Sequence, residues 1–322
     1  MKKIHILFTL LILNSTFLIL NSKAQQVPQY AQYMLNNYIL NPAVSGTEDY
    51  YEVKSNNRYQ WVGITDAPRT YVLSVHGPHR TRNMGFGGSV YSDITGPTSR
   101  TGAYLSYAYH VKLSQKLKLS FGLGFGVMQF KIDGSKVTLK DENDPAMSNG
   151  VMSVIVPDAT FGVQLYTDKF YFGISAPQLI GNNLKFFDNV SDSQSRLARH
   201  LLIMGGYTFH LGDNWTLQPS FLLKYVSPVP MQVDLGVKIG YRDVVWAGSA
   251  FRINDALSVM AGFNIGKNVI LGYAYDFPMS SLKNYSSGSH EVMIGARFAK
   301  IRHTNDTPPA ESPVETPTSE EK

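Results

Sequence analysis

The sequence predicts an all-β protein, a transmembrane antiparallel up-and-down β-barrel of about 14 strands. Three observations predict it. From Tyr50 to Ala299, apolar and non-apolar residues alternate at period two in segment after segment, as they do in a strand whose faces meet different media. The connections between these segments are short at every even position and mostly long at the odd ones. The composition agrees: of 322 residues 12% are aromatic and 16% charged, against about 25% charged in soluble domains. That charge content, with a mean hydropathy of -0.13, excludes disorder and a coiled coil and disfavours an ordinary cytosolic enzyme. The absence of cysteine excludes a disulfide framework, a thiolate zinc site, an Fe–S cluster and a cysteine nucleophile.

Residues 1–24 read as a signal peptide. Lys2 and Lys3 precede an apolar run from Ile4 to Leu20, and Ser22 and Ala24 place cleavage near Ala24-Gln25. The run is short for a spanning helix, and no later window approaches the roughly 18 apolar residues a transmembrane helix needs. The exported chain is therefore either soluble or a barrel. Loss of Lys2, Lys3 and Lys23 takes the formal charge from +5 to +2. No Lys/Arg cluster interleaved with aromatics suggests a nucleic-acid partner.

Residues 25–49 are polar and aromatic (Gln29-Tyr30-Ala31-Gln32-Tyr33-Met34) and include Asn41-Pro42 and Gly46. They predict a short helix or turn, placed as a plug or a periplasmic foot. Residues 50–302 form the barrel. Its strands fall near 50–60, 69–77, 83–91, 100–112, 116–131, 156–166, 170–176, 199–211, 215–227, 231–241, 244–252, 256–265, 269–276 and 289–299. In the clearest of them Leu119, Phe121, Leu123, Phe125 and Val127 share one face, while Ser120, Gly122, Gly124, Gly126 and Met128 share the other. The glycines on that second face suggest close packing inside, or strand curvature. An even count returns both ends to one side, where outer-membrane barrels keep their short turns. A soluble sandwich or propeller has no reason to segregate its loops by parity. Hydrocarbon requires every backbone polar group to be paired, which a sheet achieves by closing. Residues 303–322, rich in Pro, Glu, Ser and Thr, predict a disordered periplasmic tail.

No residue is singled out as catalytic, cofactor-binding or metal-ligating. Gly122-x-Gly124-x-Gly126 sits inside a strand with no helix after it, so it lacks the dipole of a phosphate loop. The acidic turn Asp141-Glu142-Asn143-Asp144-Pro145 lacks the spacing of a calcium loop. His76, His79, His110, His200, His210 and His290 do not pair at ligand spacing, and Ser289-His290-Glu291 places neighbours on opposite faces, where no triad forms locally. The candidate binding elements are loops: 132–155, 177–198, Gly96 to Gly102 and Asp66 to Thr70. A porin or solute channel is the alternative. It would need an open polar lumen lined by Asp234, Lys238, Glu291 and Arg297, and a lumen filled by residues 25–49 would count against it.

A collinear set of motifs carries a resemblance. Pro28 to Met34, Asn41-Pro42-Ala43, Asn57 to Gly63, Ala67 to Thr70, Gly96 to Gly102, Tyr107 to His110, Thr167 to Gly173, Ala274 to Asp276 and Ser286 to Glu291 resemble the PorP/SprF family across nearly the whole mature chain. The resemblance implies an outer-membrane barrel of Bacteroidetes in the type IX secretion system, which exports gliding adhesins, and a role in gliding motility or protein secretion without enzyme activity or cofactor. The partners it implies are a cargo adhesin with a type B C-terminal signal domain, a periplasmic ring lipoprotein or translocon component, and outer-membrane lipid. The family offers no established catalytic residues. The Pro-rich tail after Arg302 departs from many members.

Overall fold

A computed structural model describes residues 27–137, 150–184, 196–266 and 268–300. The leader 1–24, the acidic turn Asp141 to Pro145 and the tail 303–322 lie outside the described residues. Fifteen strand segments follow in order: β1 Tyr51–Tyr59, β2 Arg69–Pro78, β3 Met84–Thr95, β4 Thr98–Lys112, β5 Lys118–Asp133, β6 Val151–Tyr166, β7 Phe170–Ala176, β8 His200–Tyr207, β9 Phe209–Leu211, β10 Trp215–Val226, β11 Val229–Tyr241, β12 Val245–Arg252, β13 Ala256–Ile265, β14 Val269–Pro278 and β15 Ser289–Phe298. All pairings are antiparallel between neighbours in sequence, and β1 closes the ring on β15, from Tyr51 opposite Phe298 to Tyr59 opposite His290. β8 and β9 are two halves of one wall strand, since both pair with β10 in one continuous register. The break between them faces Gln218 and Pro219. Pro219 has no N–H to give the ladder. The wall is a closed barrel of 14 strands.

The barrel is built inside out relative to a water-soluble protein. On β5, Phe121, Leu123, Phe125 and Val127 point outward and are exposed, Phe125 at 62%, while Ser120 and Met128 point inward and are buried. On β1, Glu52, Lys54, Asn56 and Arg58 face the interior. Leu105, Leu235, Val259, Phe263 and Ile294 continue the apolar outer surface around the wall. An exterior of this kind is stable against acyl chains and costly against water.

Every even connection is short (79–83, 113–117, 167–169, 212–214, 242–244 and 266–268), so one end of the barrel is a turn end. The opposite, loop end carries 60–68, 134–150, 177–199 and 279–288. One expected loop is absent from it. Residues 92–99 are mostly strand, with β3 and β4 meeting at the two-residue turn Gly96-Pro97. The reason lies in Asp93, which reads as a loop residue but faces the lumen and pairs with Arg100 at 2.6 Å, with Thr70 Oγ1 donating to Asp93 at 2.7 Å. The connection expected at 228–230 also tightens, to 227–228.

Candidate functional site

The lumen is occupied by the chain's own N-terminal segment. Residues 27–50 make three 3-10 turns, Tyr33–Leu35, Asn37–Ile39 and Pro42–Val44. A run this short in regular structure leaves many backbone groups without helical partners, and the wall supplies them. Asn41 opens the third turn, its side chain accepting from Ala43 N at 2.9 Å, with Pro42 at the first position where no N–H is needed.

The segment runs the length of the barrel. At the loop end, Gln29 Nε2 donates to Gln232 at 3.0 Å, and Glu291 accepts from Ala31 N at 2.7 Å and Gln32 N at 3.3 Å. Lower down, Tyr33 meets Ser220, Asn36 donates to Asn56 and Ser74, Tyr38 meets Ser106 at 2.9 Å, and Ser175 donates to Leu40 O at 2.6 Å. Lys54 Nζ donates to Leu35 O. Near the turn end, Asn41 donates to Val163 O, while Ser45 meets Ser106 by its hydroxyl and His110 by its carbonyl, each at 2.9 Å. These bonds reach β1, β2, β4, β6, β7, β10, β11 and β15.

Apolar contacts add to this. Tyr30, Ala31, Tyr33, Met34 and Leu40 form one buried cluster with Val72, Leu202, Met204, Leu222, Trp246, Met260 and Ala274 of the wall. The core of this molecule therefore lies between segment and wall. The inner-face glycines follow from it: a Cβ on Gly122 would overlap Ala43, and one on Gly85 would overlap Ser45.

Two ionic clusters line the interior beside the segment. Toward the loop end, Arg58 pairs with Asp276 at 2.6 Å and Glu291 at 3.2 Å, and Arg252 pairs with Asp255 at 3.0 Å, Asp234 at 3.4 Å and Asp276 at 3.6 Å. Toward the turn end, Glu52 pairs with Lys54 at 2.6 Å and Arg297 at 3.1 Å, and His76 stands 3.6 Å away, stacked on Tyr38. The four charges expected to line a channel are thus engaged differently: Glu291 and Arg297 hold partners and the segment, and Asp234 pairs with Arg252 rather than with Lys238. Arg252 and Glu52 were not singled out from sequence, and Arg58 and Asp276 entered only within the motifs of the family resemblance, not as lumen charges. Their signal is parity, since each occupies an inward position of its strand.

The candidate loops gather at one end. Val62 N donates to Gly288 O and Ser287 N to Val62 O, joining 60–68 to 279–288, while Gly96 N donates to Asp66 O. Of 177–198, residues 177–184 and 196–198 are described, bridged at Asn183 and Arg196, with Leu197 buried against Met128 and Val156. Ile132, Asp133 and residues 151–155 of the 132–155 loop belong to β5 and β6. The histidines stay apart. His110 bonds Tyr166 at 2.9 Å, His290 bonds Tyr273 on the outer face at 2.6 Å, and Ser289 accepts from Trp61 N.

A family model described as type IX secretion system membrane protein PorP/SprF matches residues 22–296. No curated protein matches the sequence. Among solved structures, the chain is similar to the Ralstonia pickettii toluene transporter TbuX (11% identity, 85% of this chain and 94% of that one, TM-score 0.50). It is also similar to the P. putida toluene transporter TodX (8%, 82% and 93%, 0.46) and to the Acinetobacter baumannii outer membrane protein Omp33 (9%, 79% and 99%, 0.44). At such identities the likeness concerns the barrel fold alone.

Proposed function

The chain belongs to the PorP/SprF family of type IX secretion system membrane proteins, and from that premise we propose that it assists the export or surface attachment of a cargo adhesin by binding, without bond chemistry. The leader directs the chain to the Sec pathway, the turn end and tail face the periplasm, and the loop end faces outward. The cargo's C-terminal signal domain docks on the loop-end rim, where 60–68, 177–199 and 279–288 stand together.

The observation that carries this reading over a solute channel is the filled lumen, from Gln29 near one mouth to Ser45 near the other. A pore for small solutes needs an open polar path. Here the inward polar groups are spent on holding a segment in place, which leaves the rim as the working surface. Deletion of the protein is expected to leave a specific surface protein unsecreted or unattached while solute uptake is unchanged. Normal display of every exported adhesin, or a selective loss of uptake, would overturn the assignment.

A further inference from the structure

The turn end of the barrel is electrically lopsided. Three neighbouring hairpins there, turning at 79–83, 113–117 and 167–169, carry Arg80, Arg82, Lys112, Lys116, Lys118 and Lys169 against one acid, Asp168. Further round the rim, the turns 212–214 and 242–244 hold Asp213, Asp243 and Arg242. Among the described residues no carboxylate forms an ion pair with any of the six cations. Lys300 and Arg297 pair instead with Asp49 and Glu52, each at 3.1 Å, at the seam between β1 and β15.

Within this basic arc like charges are crowded. Lys112 stands directly opposite Lys118 in the β4–β5 ladder, with Lys116 in the turn beyond. Like charges facing each other across a sheet are destabilising, and the offset on the wall is weak: Lys118 Nζ lies 5.7 Å from the centroid of the Tyr166 ring. Arg80, Arg82, Lys112, Lys116 and Lys169 are exposed. An anionic partner would relieve the repulsion.

The chain carries such a partner, and it departs from the same end. β15 reaches Phe298 two strands from the 79–83 turn. Residues 303–322, outside the described residues, contain Asp306, Glu311, Glu315, Glu320 and Glu321, with Lys322 their one Lys or Arg. Pro308, Pro309, Pro313 and Pro317 favour an extended chain, so residues 301–312 span roughly 37 Å at about 3.1 Å per residue. The far edge of the arc, between β6 and β7, lies about 30 Å from β15 along the wall. The acids recur every four or five residues, about 12–16 Å apart when extended, against about 10 Å between successive turns of the arc.

We propose that the acidic tail, residues 306–321, folds back across the turn end and docks on this basic arc as its counter-charge. Each exposed ion pair contributes little, so docking rests on several formed together and on the high effective concentration of a tethered partner. Salt therefore releases the tail. The arc lies at the opposite end from the loops, and the proposal is independent of the secretion role. Anionic lipid headgroups offer the same charge from another source, and the test separates the two.

The chain has no cysteine, so spin labels can be placed in pairs on the full chain. One label goes at Ser312→Cys, and the other at Gln115→Cys in the arc or at Val244→Cys outside it. Residue 244 lies no farther round the rim from β15 than residue 115 does, so an undocked tail has no bias toward 115. Double electron–electron resonance in neutral detergent micelles at low salt is expected to give a narrow distribution from 312 to 115. Its mean should be shorter than that from 312 to 244 by about 10 Å or more, the width of two strands. In about 1 M NaCl, where the Debye length falls to about 3 Å, both distributions are expected to broaden and converge. The combined variant Glu311→Gln, Glu315→Gln, Glu320→Gln and Glu321→Gln, which leaves the barrel untouched, is expected to do the same at low salt. Heat-modifiable migration confirms that each sample is a closed barrel. Equal distances at low salt, no response to salt, or no response to the neutralised acids overturns the proposal. So does loss of the short distance in phosphatidylglycerol vesicles but not in phosphatidylcholine vesicles at the same low salt, which would assign the arc to lipid headgroups.

Discussion

Glu291 is the tether whose loss should free the inserted segment. Its carboxylate is fully buried and accepts from Ala31 N at 2.7 Å, Gln32 N at 3.3 Å, Asn56 Nδ2 at 3.3 Å and Arg58 Nη1 at 3.2 Å. Glu291→Ala strands two backbone amides, at about 1–3 kcal/mol each. It also takes one of two carboxylates from Arg58, which keeps Asp276 at 2.6 Å and so loses less than the roughly 3–5 kcal/mol of a fully broken buried pair. Water entering the vacated space offsets part of the loss, leaving about 3 kcal/mol against the docked segment. At about 1.4 kcal/mol per decade, that raises the undocked population roughly a hundred-fold. Proteolysis of a transiently opened segment follows that population, so cleavage within residues 27–50 should accelerate by a similar factor, while heat-modifiable migration still reports a closed wall. Glu291→Gln, which keeps the volume and one acceptor, should fall between the two. Cleavage of the Ala variant at the native rate would falsify the account of how the segment is held.

Deleting residues 25–49 should open the lumen, giving stepwise conductance in planar bilayers where the full chain gives none; a silent deletion variant refutes the idea that this segment is the closure. Gly122→Val should expel the third 3-10 turn, because even a Cβ there overlaps Ala43, and should be seen as faster proteolysis near residue 43. Phe125→Arg puts a charge on the outer face, where Phe125 is 62% exposed, and should destabilise insertion by about 2–4 kcal/mol if that position lies near mid-membrane. Measured by urea titration in lipid vesicles, a change below about 1 kcal/mol would place it elsewhere. Exchanging the 279–288 loop for a Gly/Ser linker should abolish cargo attachment and leave the fold intact, as read by pull-down with the cargo's signal domain.

The wall was legible because two solvents write a period of two: Phe121 to Val127 against Ser120 to Met128 fixes β5 almost to its ends. Alternation fails where both faces are polar. Ser92, Asp93 and Thr95 therefore looked like loop, since nothing local reveals that Asp93 turns inward to an arginine seven residues on. The segment 27–50 has no period at all, because its partners are scattered over eight strands, from Asn56 and Ser74 to Gln232 and Glu291 more than two hundred residues away. The facing glycines were the local trace of it, and they mark close approach without saying what approaches.

The contact between β1 and β15 joins the beginning of the wall to its end. Until the last strand arrives the sheet is an open scroll with two unsatisfied margins, and afterwards it is a sealed tube. What fills the tube belongs to the earliest part of the chain. The inserted segment reaches that closing strand too, through Ala31 N and Glu291, so one residue of β15 touches both the seam of the tube and what fills it.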